Sequence, residues 1–182
     1  RVRSSAASDV YKRQLQGRGL NAKIIRHFGL GCAPNRWDGL LRHMRQKGYS
    51  EAELVNANLA RRSDKNGRTS CYDNFRNRMM IPILDLRGNV IAFGGRVLDD
   101  AKPKYVNTSD TLVYKKSQAI FALNFAKSAN QGKLILAEGY MDVIAYHQAG
   151  FTNAVACLGT ALTREQARLL ARYACLLYTS PS

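Results

Sequence analysis

The first third of the chain carries apolar residues at helical spacing. Between residues 14 and 60, three short segments repeat an apolar residue every three or four positions. Gly29 or Gly31 can end the first helix and Gly48 the second, while Ser50 with Glu53 has the pattern of a capping box at the start of the third. The apolar positions expected to share faces in the first two helices are Ile24, Ile25, Phe28, Trp37, Leu40, Leu41 and Met44.

The pattern changes after a polar stretch at residues 61–74. The run MMIPILDLRGNVIAFGGRVL, residues 79–98, predicts two strands joined by a hairpin of the longer-loop kind. A helix is expected around residues 117–129. Apolar runs at 134–137 and 153–158 then flank a helical segment at 140–148, and a last helix starts at Thr163, where Gln166 completes a capping box. The face expected on the 140–148 helix is Met141, Ile144, Ala145 and Gln148.

Strand, helix and strand within about 25 residues indicate a parallel pair with a right-handed crossover. The predicted fold class is therefore α/β (α+β): a mixed N-terminal part followed by a parallel α/β part. The two ends differ from the rest. Residues 1–14 lack a clear period, and CLLYTSPS at 175–182 stops in turn formers, so we expect non-native flanks or a truncated end.

The net positive charge of the chain indicates which kinds of partner it can bind. The chain has 28 Lys and Arg against 13 Asp and Glu, a net charge of +15, which favours polyanionic partners and above all nucleic-acid phosphates. A membrane surface or ribosomal RNA stays open on charge alone. No apolar run approaches the roughly 20 residues of a membrane span, and no signal peptide opens the sequence.

The four cysteines lie far apart without a C-x-x-C pair, which argues against a zinc site and a disulfide framework; we expect a cytoplasmic protein.

Two acids stand at the end of an apolar strand. Glu138 follows the 134–137 run directly, and Asp142 falls in the first turn of the next helix, where the helix dipole favours negative charge. In parallel α/β sheets, ligands bind at the carboxyl ends of the strands. Gly139 lets the chain turn there, and Gly159 and Thr160 follow the neighbouring strand as a supporting loop. Together these residues suggest a Mg²⁺ site with oxygen ligands, although each acid alone could be an ordinary solvated charge.

The same residues carry a family resemblance. AEGYMDVIAYHQAGFTNAVACLGTALT, residues 137–163, resembles the first half of the toprim fold as it occurs in bacterial DnaG-type DNA primases. YDNFRNRMMIPILDLRGNVIAFGGRVL, PKYVNTSDT and YKKSQAIFALNFA agree upstream, in the same order. The resemblance covers roughly residues 15–174. It implies a basic N-terminal subdomain at 15–117 packed on a truncated toprim subdomain at 118–174.

The resemblance also implies roles for particular residues. Glu138 matches a catalytic glutamate that binds metal or acts as general acid or base, and Asp142 matches an acid beside the metal. Positions that face nucleotide phosphates and template in the family are matched by Arg76, Arg78, Arg96, Lys104, Asn107 and Lys115. Independent chemistry agrees, since phosphoryl transfer depends on positioning and charge neutralisation. Gly94 and Gly95 before Arg96 are interpreted as allowing a phosphate to approach the backbone.

The implied function is synthesis of short RNA primers on single-stranded DNA, by metal-dependent nucleotidyl transfer with Mg²⁺ or Mn²⁺. The implied partners are the template, nucleoside triphosphates and, through a domain outside this chain, a replicative helicase; zinc belongs to another family domain. The Asp-x-Asp pair that follows the last helix in the family has no counterpart here, so we expect this chain alone to be inactive. Ile81 replaces the usual Phe, and PKYVNTSDT varies the usual L-N-S-P-E-T.

Two alternatives remain at this point. The chain could be a binding module that clamps single-stranded nucleic acid without catalysis, or another toprim enzyme such as a nuclease or topoisomerase. FGGR followed by PKY speaks against the latter, because these motifs lie outside the shared toprim fold.

Overall fold

A computed structural model describes residues 15–17, 19–65, 67–99, 102–129, 132–158 and 161–179 of the chain. The helices in these ranges are α1 (Ala22–His27), α2 (Gly39–Gln46), α3 (Glu51–Asn56), α4 (Leu123–Ala129), α5 (Tyr140–Gln148) and α6 (Arg164–Ala171). The strands are β1 (Gly31–Ala33), β2 (Ala60–Lys65), β3 (Arg68–Asp73), β4 (Arg78–Leu84), β5 (Val90–Val97), β6 (Tyr105–Asn107), β7 (Ile120–Phe121), β8 (Lys133–Ala137), β9 (Ala154–Cys157) and β10 (Leu176–Thr179). The flank at 1–14 and the predicted loop residues Gly159 and Thr160 lie outside the described residues.

The N-terminal part contains an antiparallel sheet with strand order β1–β4–β5–β6. The predicted hairpin is confirmed as β4 and β5, which pair from Arg78 opposite Val97 and change register between Ile83 and Leu84. A second hairpin, β2–β3, occupies the stretch that the sequence pattern suggested was a polar connection. Its two buried residues, Ala60 and Asp73, lie opposite each other at the end of the hairpin away from the turn. The exposed residues Arg61, Arg62, Asp64, Thr69 and Ser70 follow no period of two. The alternation that marks a half-buried strand is therefore missing there.

The C-terminal part is a sheet of order β10–β8–β9–β7. The predicted parallel pair is confirmed, because Ile135, Leu136 and Ala137 of β8 lie opposite residues 154–156 of β9. β10 joins β8 in parallel, and β7 pairs with β9 in antiparallel orientation. The segment predicted to be helical from about residue 117 thus begins with a short strand, and its helix α4 starts only at Leu123.

Helix α5 turns a different face inward from the one that the sequence suggested. Its buried residues are Tyr140, Val143, Ile144 and His147. Gln148, expected on the buried face, is exposed; its side chain accepts a hydrogen bond from Asn21 N (2.9 Å) and donates one to Gly19 O (2.7 Å). The helix contacts both β9 and α1, so its orientation follows from two neighbours rather than from one apolar stripe.

One continuous core joins the two parts. Phe28, Ile81 and Ile83 of the N-terminal part pack in the same buried cluster as Val143 and Ile144 of α5. Ile81, which departs from the family pattern, is fully buried. The two sheets are therefore held in one arrangement by shared apolar burial. None of the helices in the described ranges has the length and apolar character to cross a membrane.

Candidate functional site

Strands β5 and β6 build one wall of a cleft. Gly94 lies opposite Asn107, and Arg96 lies opposite Tyr105. Because residues two apart on a strand point to the same side of a sheet, Arg96, Gly94 and their cross-strand partners share one face. The Arg96 guanidinium carbon is 5.8 Å from the centroid of the Tyr105 ring, within the range of a cation–π contact.

Backbone contacts at both ends of β6 hold this wall in register. At one end, the Thr108 hydroxyl accepts a hydrogen bond from Phe93 N (3.0 Å) and donates to Phe93 O (3.1 Å), and Thr108 N donates to the same carbonyl (2.9 Å). At the other end, Val97 N donates to Lys104 O (3.0 Å). Thr108 is 2% exposed. The positions of Lys104 and Asn107 are therefore set by the strand pairing that lies between them.

The carboxyl end of β8 builds the opposite wall. Glu138 directly follows the last strand residue, and Asp142 lies in the first turn of α5. Gly139 has an extended backbone, and a Cβ added there would lie 3.6 Å from Asp142 Oδ2, an ordinary contact. Neither the backbone nor the space at this position requires glycine, so the steric reason that the sequence suggested for Gly139 is wrong.

The two walls enclose a cleft of about 410 Å³. Among the residues predicted from the sequence, those that line it are Arg96, Lys104, Asn107, Glu138, Gly139 and Asp142. They come from three separate segments of the chain, so their convergence is a property of the fold.

The charges in the cleft are not paired with each other. Within the described part of the chain, neither carboxylate has a hydrogen bond or an ion pair, and Arg96 and Lys104 form no salt bridge with Glu138 or Asp142. Exposed carboxylates without partners suit a hard cation such as Mg²⁺. No third Asp, Glu, His or Cys of the described residues joins them in a metal-binding group, so these two acids fit part of a cation site.

Tyr140 connects the walls, and sequence reasoning did not identify it as a site residue. Its hydroxyl donates a hydrogen bond to Asn107 Oδ1 (3.0 Å). The ring is 5% exposed and makes an edge contact with Phe121, with centroids 5.0 Å apart. Burial, and then the neighbouring Tyr114 and Tyr105, raise the pKa of Tyr140 well above its usual value, so the hydroxyl stays protonated and acts as a donor.

Arg76 belongs to a second cluster. Its guanidinium carbon lies 4.5 Å from the Trp37 ring centroid and 5.0 Å from that of Tyr72, while the two rings are stacked 4.7 Å apart. Its Nη1 donates to Asp73 O. Trp37 is 58% exposed, so the prediction that it shares a buried helix face is wrong. The cluster, called here the Trp37 platform, offers an exposed aromatic surface beside a positive charge.

Arg78 does not line the cleft. It is 8% exposed, and its Nη1 donates to Pro103 O (3.0 Å) and Gly95 O (3.4 Å). Burial and the nearby Arg76 charge lower the pKa of Arg78, while Asp99 opposes this. The sequence suggested a phosphate-facing arginine, but the observed guanidinium donates to one backbone carbonyl in β5 and one in the β5–β6 connection.

Lys115 and the two glycines before Arg96 do not line the cleft. Lys115 is exposed and is not among the lining residues. The interpretation of Gly94 and Gly95 as places for a phosphate is also wrong. A Cβ at Gly94 would lie 2.8 Å from Tyr140 Cζ, and one at Gly95 would lie 2.8 Å from Phe75 Cδ1. Aromatic side chains already occupy the space that these glycines leave.

Comparison with known proteins decides the family. A family model described as "DNA primase catalytic core, N-terminal domain" matches residues 3–127, more than half of the chain. The chain belongs to the DNA primase catalytic core family. A second family model, described as "Toprim-like", matches residues 135–179 of this primase-family chain. The family and the fold class that the sequence predicts are thereby confirmed.

Individual relatives agree with this assignment. The DNA primase of Clostridium acetobutylicum is 51% identical over 164 residues, which cover 90% of this chain and 27% of the relative. The DNA primase of Deinococcus radiodurans is 53% identical over 160 residues, 87% of this chain and 28% of the relative. The solved structure "Structure of the DnaG primase catalytic domain bound to ssDNA" has a TM-score of 0.84 at 38% identity, with 93% of this chain and 52% of that chain covered. This primase-family chain thus spans about a quarter of the length of these curated relatives.

Proposed function

We propose that this chain contributes the template-binding surface and part of the nucleotide site of a DNA primase, which makes short RNA primers on single-stranded DNA by metal-dependent nucleotidyl transfer. The observation that carries the proposal is the cleft itself. Arg96, Lys104 and Asn107 face the carboxylates of Glu138 and Asp142 across a space that contains no ion pair between them. A polyphosphate with its cation has the charge distribution that fits between such walls.

The basic wall is proposed to bind phosphate groups. Arg96 offers a planar fork of N–H donors and Lys104 a mobile point charge, while Asn107 adds uncharged hydrogen-bonding groups. The cation–π contact of Arg96 with Tyr105 restricts the arginine side chain without neutralising it. The reading of Lys115 as a nucleotide or template contact stays a prediction, and its exposed position leaves it available.

The acidic wall is proposed to hold Mg²⁺ or Mn²⁺. Glu138 and Asp142 would supply carboxylate oxygens, and Glu138 is the proposed catalytic group. A cation bound there would neutralise phosphate charge and orient the reacting oxygens. Because Mg²⁺ keeps most of its waters unless several ligands converge, two carboxylates hold it weakly. We therefore propose that residues 1–182 alone do not extend primers.

The template is proposed to cross the Trp37 platform. Stacking of a base on an aromatic ring is worth about 1–3 kcal/mol, and Trp37 presents an exposed ring with Arg76 beside it. Phe75, the neighbour of Arg76, packs against Gly95 of β5, so the platform adjoins the strand that carries Arg96. The solved relative bound to ssDNA supports the same class of ligand. Contact with a replicative helicase stays a prediction from the family resemblance.

Fluorescence anisotropy of a labelled single-stranded DNA oligomer tests the template surface. Arg96→Ala and Lys104→Ala should each weaken binding and reduce the slope of log K against log salt by about 0.7 per lost phosphate contact. Trp37→Ala should weaken binding about 5- to 100-fold with the slope unchanged, because stacking releases no counterions. Arg87→Ala, an exposed arginine of the β4–β5 loop, is the matched control. Equal salt slopes for all four variants would refute the proposed path.

Binding of Mn²⁺ at the acidic wall separates the primase site from the pure binding module. Steep salt-dependent DNA binding together with Mn²⁺ binding that Glu138→Gln and Asp142→Asn both weaken supports the primase site. The binding-module alternative predicts the same DNA binding with no effect of these two substitutions on Mn²⁺, measured by water-proton relaxation. Robust primer synthesis by the isolated chain would contradict the proposal that two carboxylates are too few.

A further inference from the structure

We propose that Tyr140 is a positioning residue of the cleft. Its hydroxyl donates to Asn107 Oδ1 and thereby turns the two N–H donors of the Asn107 amide toward phosphate oxygens of a bound nucleoside triphosphate. The inference rests on the proposed function, because it assigns a task to a second residue at the same site.

The missing side chain of Gly94 makes this contact possible. Gly94 lies directly opposite Asn107 in the β5–β6 pairing, and the Tyr140 ring covers it. A Cβ at Gly94 would lie 2.8 Å from Tyr140 Cζ and 3.0 Å from its hydroxyl oxygen. Real Cβ atoms do not approach so closely, and the nearest atoms belong to a ring held in place on its other sides. With glycine there, the ring lies on the backbone and its hydroxyl reaches the neighbouring strand.

The ring itself has little freedom to move. Its centroid lies 5.0 Å from that of Phe121 in an edge contact and 6.1 Å from that of Tyr105. Tyr140 is the first residue of α5 and is 5% exposed. A rigid donor of this kind holds its acceptor at low entropic cost, because few conformations are lost when the hydrogen bond forms.

The hydrogen bond occupies the oxygen end of the Asn107 amide and leaves its N–H end for a ligand. An amide has one oxygen acceptor and two N–H donors, and the oxygen already accepts the proton of Tyr140. Asn107 therefore presents donors on the wall that carries Arg96 and Lys104. An amide turned the other way would present an oxygen and repel a phosphate.

Tyr140 also follows Glu138 by two residues. The same side chain thus links the acidic wall to the basic wall, in addition to the buried core that holds the two parts together.

The test compares Tyr140→Phe, Asn107→Ala and the double variant with the unmodified chain. Phenylalanine keeps the ring on Gly94 and removes only the hydroxyl. GTP with Mg²⁺ is titrated by calorimetry, and we expect Tyr140→Phe to weaken binding about 2- to 10-fold, the range of one neutral hydrogen bond. The double variant should bind no more weakly than Asn107→Ala, because both substitutions remove the same oriented donors. Tyr146→Phe, on the same helix but outside the cleft, is the matched control.

A ligand-free measurement distinguishes positioning from loss of structure. The ¹⁵N–¹H side-chain amide pair of Asn107, assigned by its absence in Asn107→Ala, should shift in Tyr140→Phe and stay unchanged in Tyr146→Phe. An unshifted pair, or additive losses of GTP affinity in the double variant, would overturn the inference. If Arg96→Ala weakens GTP binding while Tyr140→Phe does not, only the role of Tyr140 is rejected. An unmodified chain that binds no GTP would reject both this role and the proposed nucleotide site.

Discussion

Asp73 holds the start of helix α2 from a distance, and its removal gives the sharpest test of the structure. Its Oδ2 accepts a hydrogen bond from Leu40 N (2.8 Å) and its Oδ1 accepts one from Leu41 N (2.9 Å), two backbone donors in the first turn of α2. The residue that precedes the helix, Asp38, makes no capping bond with its own side chain. The helix is therefore capped by a residue more than thirty positions away along the chain.

The expected cost of Asp73→Ala follows from these contacts. Loss of a helix cap costs about 0.5–2 kcal/mol, and hydrogen bonds to a charged group contribute about 1.5–3 kcal/mol each. Asp73 is 4% exposed, so water cannot fully replace the two lost acceptors. Because both bonds end on one carboxylate, their contributions overlap, and we expect the free energy of unfolding to fall by about 3 kcal/mol.

The perturbation should also reach the Trp37 platform. Asp73 N donates to Trp37 O (2.8 Å), and Arg76 donates to Asp73 O. Urea unfolding followed by circular dichroism measures the stability, and fluorescence of Trp37, the single tryptophan of the chain, reports on the platform. Asp73→Asn, which keeps one amide oxygen acceptor, should lose only part of the stability.

Asp38→Ala is the matched control for Asp73→Ala. Asp38 pairs with Arg42 at 2.8 Å, but their side chains are 37% and 65% exposed, and exposed pairs of this kind contribute about 0.2–1 kcal/mol. The midpoint urea concentration should therefore fall much further for Asp73→Ala than for Asp38→Ala at similar m values. Equal losses in the two variants would show that the distant cap does not form.

Four further outcomes can be measured. Gly95→Ala should lower the free energy of unfolding by about 1–3 kcal/mol in urea, because the added Cβ meets Phe75 at 2.8 Å; an unchanged midpoint would contradict this packing. Arg78→Met should lower the free energy of unfolding but leave the salt slope of DNA binding unchanged, because the guanidinium donates to backbone carbonyls. A reduced slope would show that Arg78 contacts phosphate. Burial lowers the pKa of His147, an effect larger than the opposing hydrogen bond with Ala154 O. Below pH 6.5 the unfolded chain therefore binds more protons at His147 than the folded chain does. The free energy of unfolding should decrease as the pH falls below 6.5, and it should decrease less in His147→Gln. Leu177→Lys in the exposed edge strand β10 should reduce self-association in sedimentation, because charges on an edge strand oppose strand pairing between molecules.

Short-range features of the fold could be predicted from the sequence. Both capping boxes form as the spacing indicates: Ser50 Oγ accepts from Glu53 N (3.2 Å), and Thr163 Oγ1 accepts from Gln166 N (3.1 Å). Gly48 has the positive φ expected after a helix. Such contacts join residues three or four apart, so the local residue types are sufficient to specify them.

The strand–helix–strand unit that carries Glu138 and Asp142 was also predictable, because alternating apolar runs and helical spacing determine its order. The family followed from the motif EGYMDV in this unit together with FGGR and PKY upstream. The position of the acids at a strand end could therefore be expected before the fold was known.

The contacts that shape the cleft and the platform depended on tertiary structure. Tyr140 and Asn107 are 33 residues apart, and nothing near either residue marks the other as its partner. The same holds for Trp37 with Tyr72, and for Arg78 with Pro103. Sequence patterns specify which residues can be buried or charged, whereas packing of distant segments decides which neighbour each one meets. Arg78 and Arg96 look alike in sequence, yet Arg78 is buried against backbone carbonyls, whereas Arg96 lines the open cleft, where we propose that it binds phosphate.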